Sequence, residues 1–419
     1  MIMFTLMATI HIYTLRPAPC AIGSYTCETP SNLQYAVLYM TLTLASLGLG
    51  GTRFTIASMG AQQLDKNKDQ ATFFDWYYLT LYVANIISFT AIIYIQDSVS
   101  WGFGFALCAL VNAIGLASLV LGKRLYRQVK PKGSPFMSLA RILKSCSIEN
   151  RKRQTIRRLI CKIMEAMYNG RSGSTQKPTQ NYSSLVCWPS FMYLSRYPSS
   201  LTILQALNMD RHLGPHFKVP AASFLVFNLL GTTISIFLID HFLLPTWQIL
   251  TRRSMTPLQR IGIGHVINIL AFVGSALIET RRLHVIRAHK LGGQPGMIVP
   301  MSALWLALPL VIVGVGEGFY VPGSVLYYQE FPESLKSTST AIVSFLLGIG
   351  LYLSTATMDL IDRTTGWLPD NINDGRLDYV YWVLVALTVV NFGYFLICAK
   401  LFKYKGEEDH DHGPSGLAH

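Results

Sequence analysis

Stretch after stretch of about 20 residues in this chain holds no charge, and that feature most restricts what it can fold into. Trp76–Gln96, Ser98–Gly122, Val219–Ile239, Ile261–Ile278, Ser337–Met358 and Tyr379–Ala399 contain no Asp, Glu, Lys or Arg. An apolar helix of about 20 residues crosses about 30 Å of hydrocarbon and satisfies its own backbone hydrogen bonds there. Only 14% of the 419 residues are charged, against about 25% in soluble domains. The reading is an all-α integral membrane protein with many spans.

Two further spans each carry one ionisable residue. From Ser31 to Leu64 the lone charge is Arg53, in a helix expected over Leu33–Ser58, and from Met297 to Gln329 it is Glu317. An acid at a helix centre in the bilayer costs about 2.5–3.5 kcal/mol or more. Such a group persists by facing a cavity, by pairing with a cation, or by taking up a proton. Each of these two charges stands alone in its span, and two isolated opposite charges at depth are less costly together than apart. Two weaker spans complete the set. Met1–Leu15 is apolar but short. Ser184–Met209 is interrupted by Pro189, Arg196 and Pro198, and proline inside a helix removes a hydrogen bond and kinks the axis.

The net charge of +13 is local. Between Lys123 and Lys177 fifteen Lys and Arg face two acids, Glu149 and Glu165, a surplus equal to the whole net charge. Such a block reads as a cytoplasmic loop by the positive-inside rule and not as a nucleic-acid surface. Ile156, Leu159, Ile160, Ile163, Met164 and Met167 recur within it at helical spacing. That pattern suits either an amphipathic helix on the membrane surface or a solvated linker. The division is 1–122, a partial first bundle; 123–184, a basic linker; 185–402, a second bundle; and 403–419, a polar tail. With the linker cytoplasmic, the Asp65–Asp69 turn and the Asp240–Arg260 connection are cytoplasmic too. Glu279–Lys290 becomes an extracytoplasmic loop whose four basic residues go against the rule.

Four spans before a basic linker and six after it suggest two six-helix halves, the plan of the major facilitator superfamily. On that plan about ten of twelve spans are present and the first two are missing. Asp240 closes one span, and Thr256-Pro-Leu-Gln-Arg-Ile-Gly-Ile-Gly264 opens the next. The acid and Arg260 can lock two helices, and Gly262 and Gly264 permit close packing. The glycines of Gly314-x-Gly-x-Gly318 read as packing positions, since no GK[ST] accompanies them to make a phosphate loop. No His-rich metal box, catalytic triad pattern or paired catalytic carboxylates suggest an enzyme, and no metal or other cofactor is expected.

Several motifs then fall in one family's order. They are Gly50–Gly60 with Gln63-Leu-Asp65, Phe73-Phe-Asp-Trp-Tyr-Tyr78, Met209–Pro215, Thr256–Gly264, Gly314–Phe319 and Phe331–Lys336. Together they resemble the proton-dependent oligopeptide transporter family. Within it the chain is most similar to the plant nitrate/peptide transporters of the nitrate excretion subgroup. The resemblance implies a secondary transporter in the plasma membrane that moves nitrate or another small anion by alternating access, linked to protons. It implies that Arg53 pairs with Glu317, as a basic residue on helix four does with the helix-ten glutamate. Arg stays charged, so proton switching would fall to Glu317. Ser199 and Thr202 lie where the family lines its pocket. Tyr78, Tyr320 and Tyr352 are candidates for the cavity wall, although an aromatic at helical spacing is more often packing core. The family's helix-one ExxER motif is absent, and residues 183–198 do not resemble the first half of its helix seven. The alternative readings are a family member that does not transport and a carrier of peptides or other metabolites.

Overall fold

Nearly every described element is a helix with an apolar outer surface. The computed structural model describes residues 2–9, 30–64, 67–127, 198–215, 217–292, 297–320, 336–369 and 371–401, and for Arg53 and Ser199 the description extends to the backbone. In chain order the first segment holds α1 (Ile2–Thr9), α2 (Asn32–Ala61), α3 (Asn67–Ile87), α4 (Ile93–Ser98) and α5 (Trp101–Leu121). A π-helical turn, Ser88–Ile92, joins α3 to α4. The second segment holds α6 (Pro198–Leu207), β1 (Met209–Asp210), α7 (Val226–Leu238), α8 (Leu244–Thr251), α9 (Pro257–Ala288), β2 (Val299–Ser302), α10 (Ala307–Gly318), α11 (Lys336–Thr365) and α12 (Leu377–Leu401). Among the described residues six helical stretches are long and apolar enough to cross a membrane: Asn32–Ala61, Thr72–Ser98, Trp101–Arg124, Ala221–Thr251, Pro257–Ala288 and Leu377–Lys400.

The polar residues of these spans satisfy themselves locally. In α2 the hydroxyls of Thr41, Thr43, Ser46 and Thr52 donate to the carbonyls of Val37, Tyr39, Leu42 and Gly48, one turn back. That bond leaves no donor open to hydrocarbon. The start of α9 is written in its sequence. Thr256 caps the helix, Pro257 follows where its missing N–H costs nothing, and Gln259 closes a capping box.

Four expectations are corrected. The span expected to end at Asp240 runs on to Thr251, with Asp240 inside a π-helical turn, Ile239–Leu243. Pro245 lies two residues beyond that turn. It cannot donate to the carbonyl of His241, and the backbone widens to absorb the loss. The expected loop Glu279–Lys290 is helical as far as Ala288. The stretch from Met297 begins not as a helix but as β2 and a 3₁₀ turn, Ala303–Leu306, ahead of α10. The Asp65–Asp69 turn ends earlier than expected, because α3 starts at Asn67. The expected surface helix of the basic linker, residues 183–197, the 331–335 motif and the tail from 402 lie outside the described residues.

Helix α10 is wedged between α7 and α9, and α9 packs along α12. At one end of this group Met209, Phe224, Leu283, Ile286, Val299, Leu306 and Leu310 form a buried core. There β1 and β2 pair in parallel, Met209 opposite Val299. A short hairpin follows, closed by Leu213 N–H donating to Phe217 O and Val219 N–H to Arg211 O, with Gly214 at φ 80° supplying the turn. Phe217 on this hairpin stacks on Tyr94 of α4, ring centroids 5.8 Å apart, and α3 touches α7. The two segments therefore meet where α2 touches α11, where α3 touches α7, and where α4 meets the region just before α7.

Candidate functional site

The three glycines of α10 place its carboxylate. Residues four apart share a helix face and residues two apart lie nearly opposite. A Cβ on Gly314 would strike the carbonyl of Asn228, and one on Gly318 the hydroxyl of Ser235, both at the α7 face. A Cβ on Gly316 would strike the Asn268 side chain and come within 3.2 Å of Gly264 O, at the α9 face. Missing side chains on both faces let the backbones of three helices close up. Glu317 lies between these faces, half-buried. Its Oε2 is met by the Thr232 hydroxyl of α7 at 3.4 Å. The same hydroxyl also reaches Asn228 O at 3.0 Å. One hydroxyl carries one proton, so the nearer carbonyl competes with Glu317 for it.

One turn along, Tyr320 is 3% exposed. Its hydroxyl accepts a hydrogen bond from Asn268 Nδ2 at 2.8 Å. Its ring packs with Ile261 and Phe395 and stands edge-on to His265. The structure thus places Tyr320 in the packing core beside Glu317. Tyr352 on α11 is 82% exposed. Tyr78 is half-buried among Phe74 and Tyr77 of α3. Thr202 is buried on α6, and Ser199 belongs to the first turn of that helix. Arg53 lies on α2. Asp240 and Arg260 are brought together: Arg260 Nη2 donates to Asp240 Oδ1 at 3.2 Å, across the gap between the π-helical turn and the first turn of α9.

A second polar centre has no counterpart in the sequence reading. Glu279 and Arg282 face each other one turn apart on α9, both side chains fully buried. Arg282 donates through Nε to Glu279 Oε2 and through Nη2 to Oε1, each at 2.8 Å, the bidentate fork that suits arginine and carboxylate. Gln205 of α6 donates to Glu279 at 2.6 Å and accepts from the Tyr381 hydroxyl of α12 at 3.0 Å. Arg282 Nη1 donates to Asn373 Oδ1 at 2.7 Å, and Asn373 Nδ2 donates to Met297 O at 3.2 Å. The network ties α6, α9, α12 and the approaches to β2 and α12. The available signal was the i, i+3 spacing of Glu279 and Arg282 directly after an apolar window, where a charged pair continues a helix as readily as it ends one. Helical placement also takes Arg282 out of the basic set that went against the positive-inside rule.

Outside the spans, the Asp210 carboxylate of β1 accepts from the His212 ring and backbone N–H, at 2.6 and 3.1 Å. These bonds hold its carboxyl below the usual range, against a small opposing effect of burial.

Glu317 is thus a half-buried carboxylate at a glycine-packed crossing of three apolar helices. Residues 3–371 match the family model described as PTR2, POT family. The chain belongs to the POT family. It is 44% identical over 434 residues to Protein NRT1/PTR FAMILY 2.6 of Arabidopsis thaliana, an alignment covering 95% of this chain and 78% of that protein. It is 43% identical over 442 residues to Protein NRT1/PTR FAMILY 2.7 of the same plant, covering 97% and 79%. The in meso crystal structure of the POT family transporter PepTSo superposes with a TM-score of 0.62 at 16% identity, over 87% of this chain and 78% of that one. A crystal structure of an auto-inhibited POT family peptide transporter gives 0.60 at 18% identity, over 88% and 78%. At these identities the likeness is one of fold: the helical bundle of the major facilitator superfamily. POT family proteins are integral membrane transporters of small molecules and protons, not enzymes.

Proposed function

We propose that this POT family chain moves nitrate or another small anion across the plasma membrane by alternating access, coupled to protons. The observation that carries the reading is Glu317, a half-buried carboxylate set between two glycine-packed faces and facing a hydroxyl whose proton is contested. When ionised, Glu317 accepts from Thr232. When protonated, it donates to Thr232 Oγ1 while that hydroxyl donates to Asn228 O. Both states find a partner without moving the backbone, which is what a protonation switch in a packed helix crossing needs. Arg53 of α2 is proposed as the cation that the ionised form holds and the protonated form releases to the anion. Its permanent charge suits an anion better than a neutralisable lysine would. Ser199, Thr202 and Tyr78 are the proposed wall of the path, and Asp240–Arg260 the cytoplasmic lock. The division at the basic segment 123–184 into two bundles is part of the same proposal.

The test is flux of isotope-labelled nitrate in oocytes expressing the full chain, with a labelled dipeptide in a parallel set. Nitrate flux that responds to an imposed pH gradient and vanishes in Arg53→Ala supports the reading. Dipeptide flux without nitrate flux transfers the mechanism to another substrate. Unchanged nitrate flux in Arg53→Ala removes Arg53 from it.

A further inference from the structure

The end of α9 forms one wall of a second site, remote from Glu317. A cavity of about 480 Å³ opens there against the turn that leads into α12. Its floor is apolar, with Leu283 and Ile286 both buried. Its rim carries Arg287, Lys290 and Arg376 against one carboxylate, Asp374. Asp374 accepts from Asn371 Nδ2 at 2.8 Å, and Arg376 is drawn toward Asp378, at 3.3 Å. Among the described residues neither Arg287 nor Lys290 enters an ion pair. Basic residues near a helix C-terminus complement the helix dipole, but that leaves the conformation of Lys290 unexplained. Lys290 takes φ 51° in a turn where its N–H meets Arg287 O and the Leu291 N–H meets Ile286 O. That pattern favours glycine, and a residue with a Cβ there costs about 1 kcal/mol more.

Position fixes how the cavity is reached. The apolar window Ile261–Ile278 already accounts for about 27 Å of helix, close to the hydrocarbon thickness. Arg287 lies about 13 Å beyond it, at the level of headgroups and water. The volume is far larger than a bare inorganic anion needs and falls in the range of small organic ligands. An apolar floor with a cationic rim suits a ligand that has both characters.

We propose that this cavity is a binding site for an organic anion, a carboxylate or phosphate carried on an apolar body. The anionic group sits between Arg287 and Lys290, and the body rests on Leu283 and Ile286. The anion comes either from solution or from an anionic lipid headgroup. The site adjoins the buried network, because Asn373 both lines the cavity and accepts from Arg282.

The test uses the full chain in phosphatidylcholine nanodiscs, with hexanoate as the probe and acetate as the control, measured by titration calorimetry against empty discs. Saturable hexanoate binding, with acetate at least about ten-fold weaker, is expected. Replacing both cations (Arg287→Gln with Lys290→Gln) should weaken hexanoate by about ten-fold or more, the worth of two partly exposed charge contacts. Gly292→Trp keeps every charge and fills the mouth. Among the described residues a Cβ at Gly292 meets Asp374 Oδ1 at an ordinary 3.5 Å, so binding should be lost while the thermal midpoint, measured alongside, stays at the wild-type value. Discs that also contain phosphatidylglycerol separate the sources. A lowered apparent affinity assigns the site to a lipid headgroup, an unchanged one to a soluble anion, and both support it. Absence of saturable binding, or equal binding in the wild type and both variants, overturns the proposal.

Discussion

Glu279 and Glu317 are both carboxylates inside the same packed group of helices, and they are held in opposite ways. Glu279 is fully buried and receives bonds of 2.6–2.8 Å from Gln205 and Arg282. Glu317 is half-buried and faces a hydroxyl at 3.4 Å that has a nearer acceptor. The first arrangement is a closed set of short bonds, and removing one partner leaves the other buried without its ion pair. In the proposed function the second has two forms, one for each protonation state of Glu317. A buried charge alone therefore does not mark a switch. What distinguishes one is a short, fully matched set of partners against a longer, shared contact. Arg282–Glu279 is a structural pair, Glu317 is the switch of the proposed function, and the contrast can be attacked from either side.

The largest expected effect is on the fixed side. Arg282→Ala strands the Glu279 carboxylate and should destabilise the protein by about 3–5 kcal/mol, read as a fall in thermal midpoint and yield in detergent. Pairing Glu279→Leu with Arg282→Met should recover most of that loss, because a buried pair replaced by apolar side chains of similar volume is often neutral. A double variant no better than the single would mean that the network does more than satisfy itself. Next comes the packing that sets Glu317. Gly316→Ala presses a methyl against Asn268 and Gly264 and should cost about 1–3 kcal/mol by overpacking. Gly348→Ala on α11, where no described atom lies within 4 Å of the new Cβ, should be neutral or slightly stabilising. The smallest effect is at the hairpin. The Asp210 carboxyl is held below its usual 3.8 by His212. Its folded form is therefore favoured at any pH above about 4, and the advantage is lost as pH falls through the lower, folded-state value. His212→Ala should lower the thermal midpoint slightly near neutrality and not at strongly acid pH. A difference that persists in acid would assign the effect to packing.

The sequence made the spans legible because hydrocarbon penalises charge at any position, which leaves a local record. The capping box at Thr256–Gln259 went unread, although all its partners lie within one turn. The Glu279–Arg282 centre was not legible. Its partners Gln205 and Asn373 are distant in sequence, and a charge that ends an apolar window looks the same in a loop and in a buried network. β2 was missed because Val299–Ser302 is as apolar as the helix it precedes, and its pairing partner is β1. Glu317 was visible as the lone acid of its span. That its neighbours are glycines aimed at two different helices became evident only when α7 and α9 were placed on either side.

The central claim, that Glu317 is the group whose protonation drives the cycle, is tested most directly by Glu317→Gln. Glutamine keeps the size and the contact with Thr232 and removes the titration. Labelled nitrate flux should be measured at several external pH values, on membranes matched for protein content. The account predicts normal folding and loss of the pH-gradient-driven component of flux. Gradient-driven flux equal to that of the wild type would contradict it.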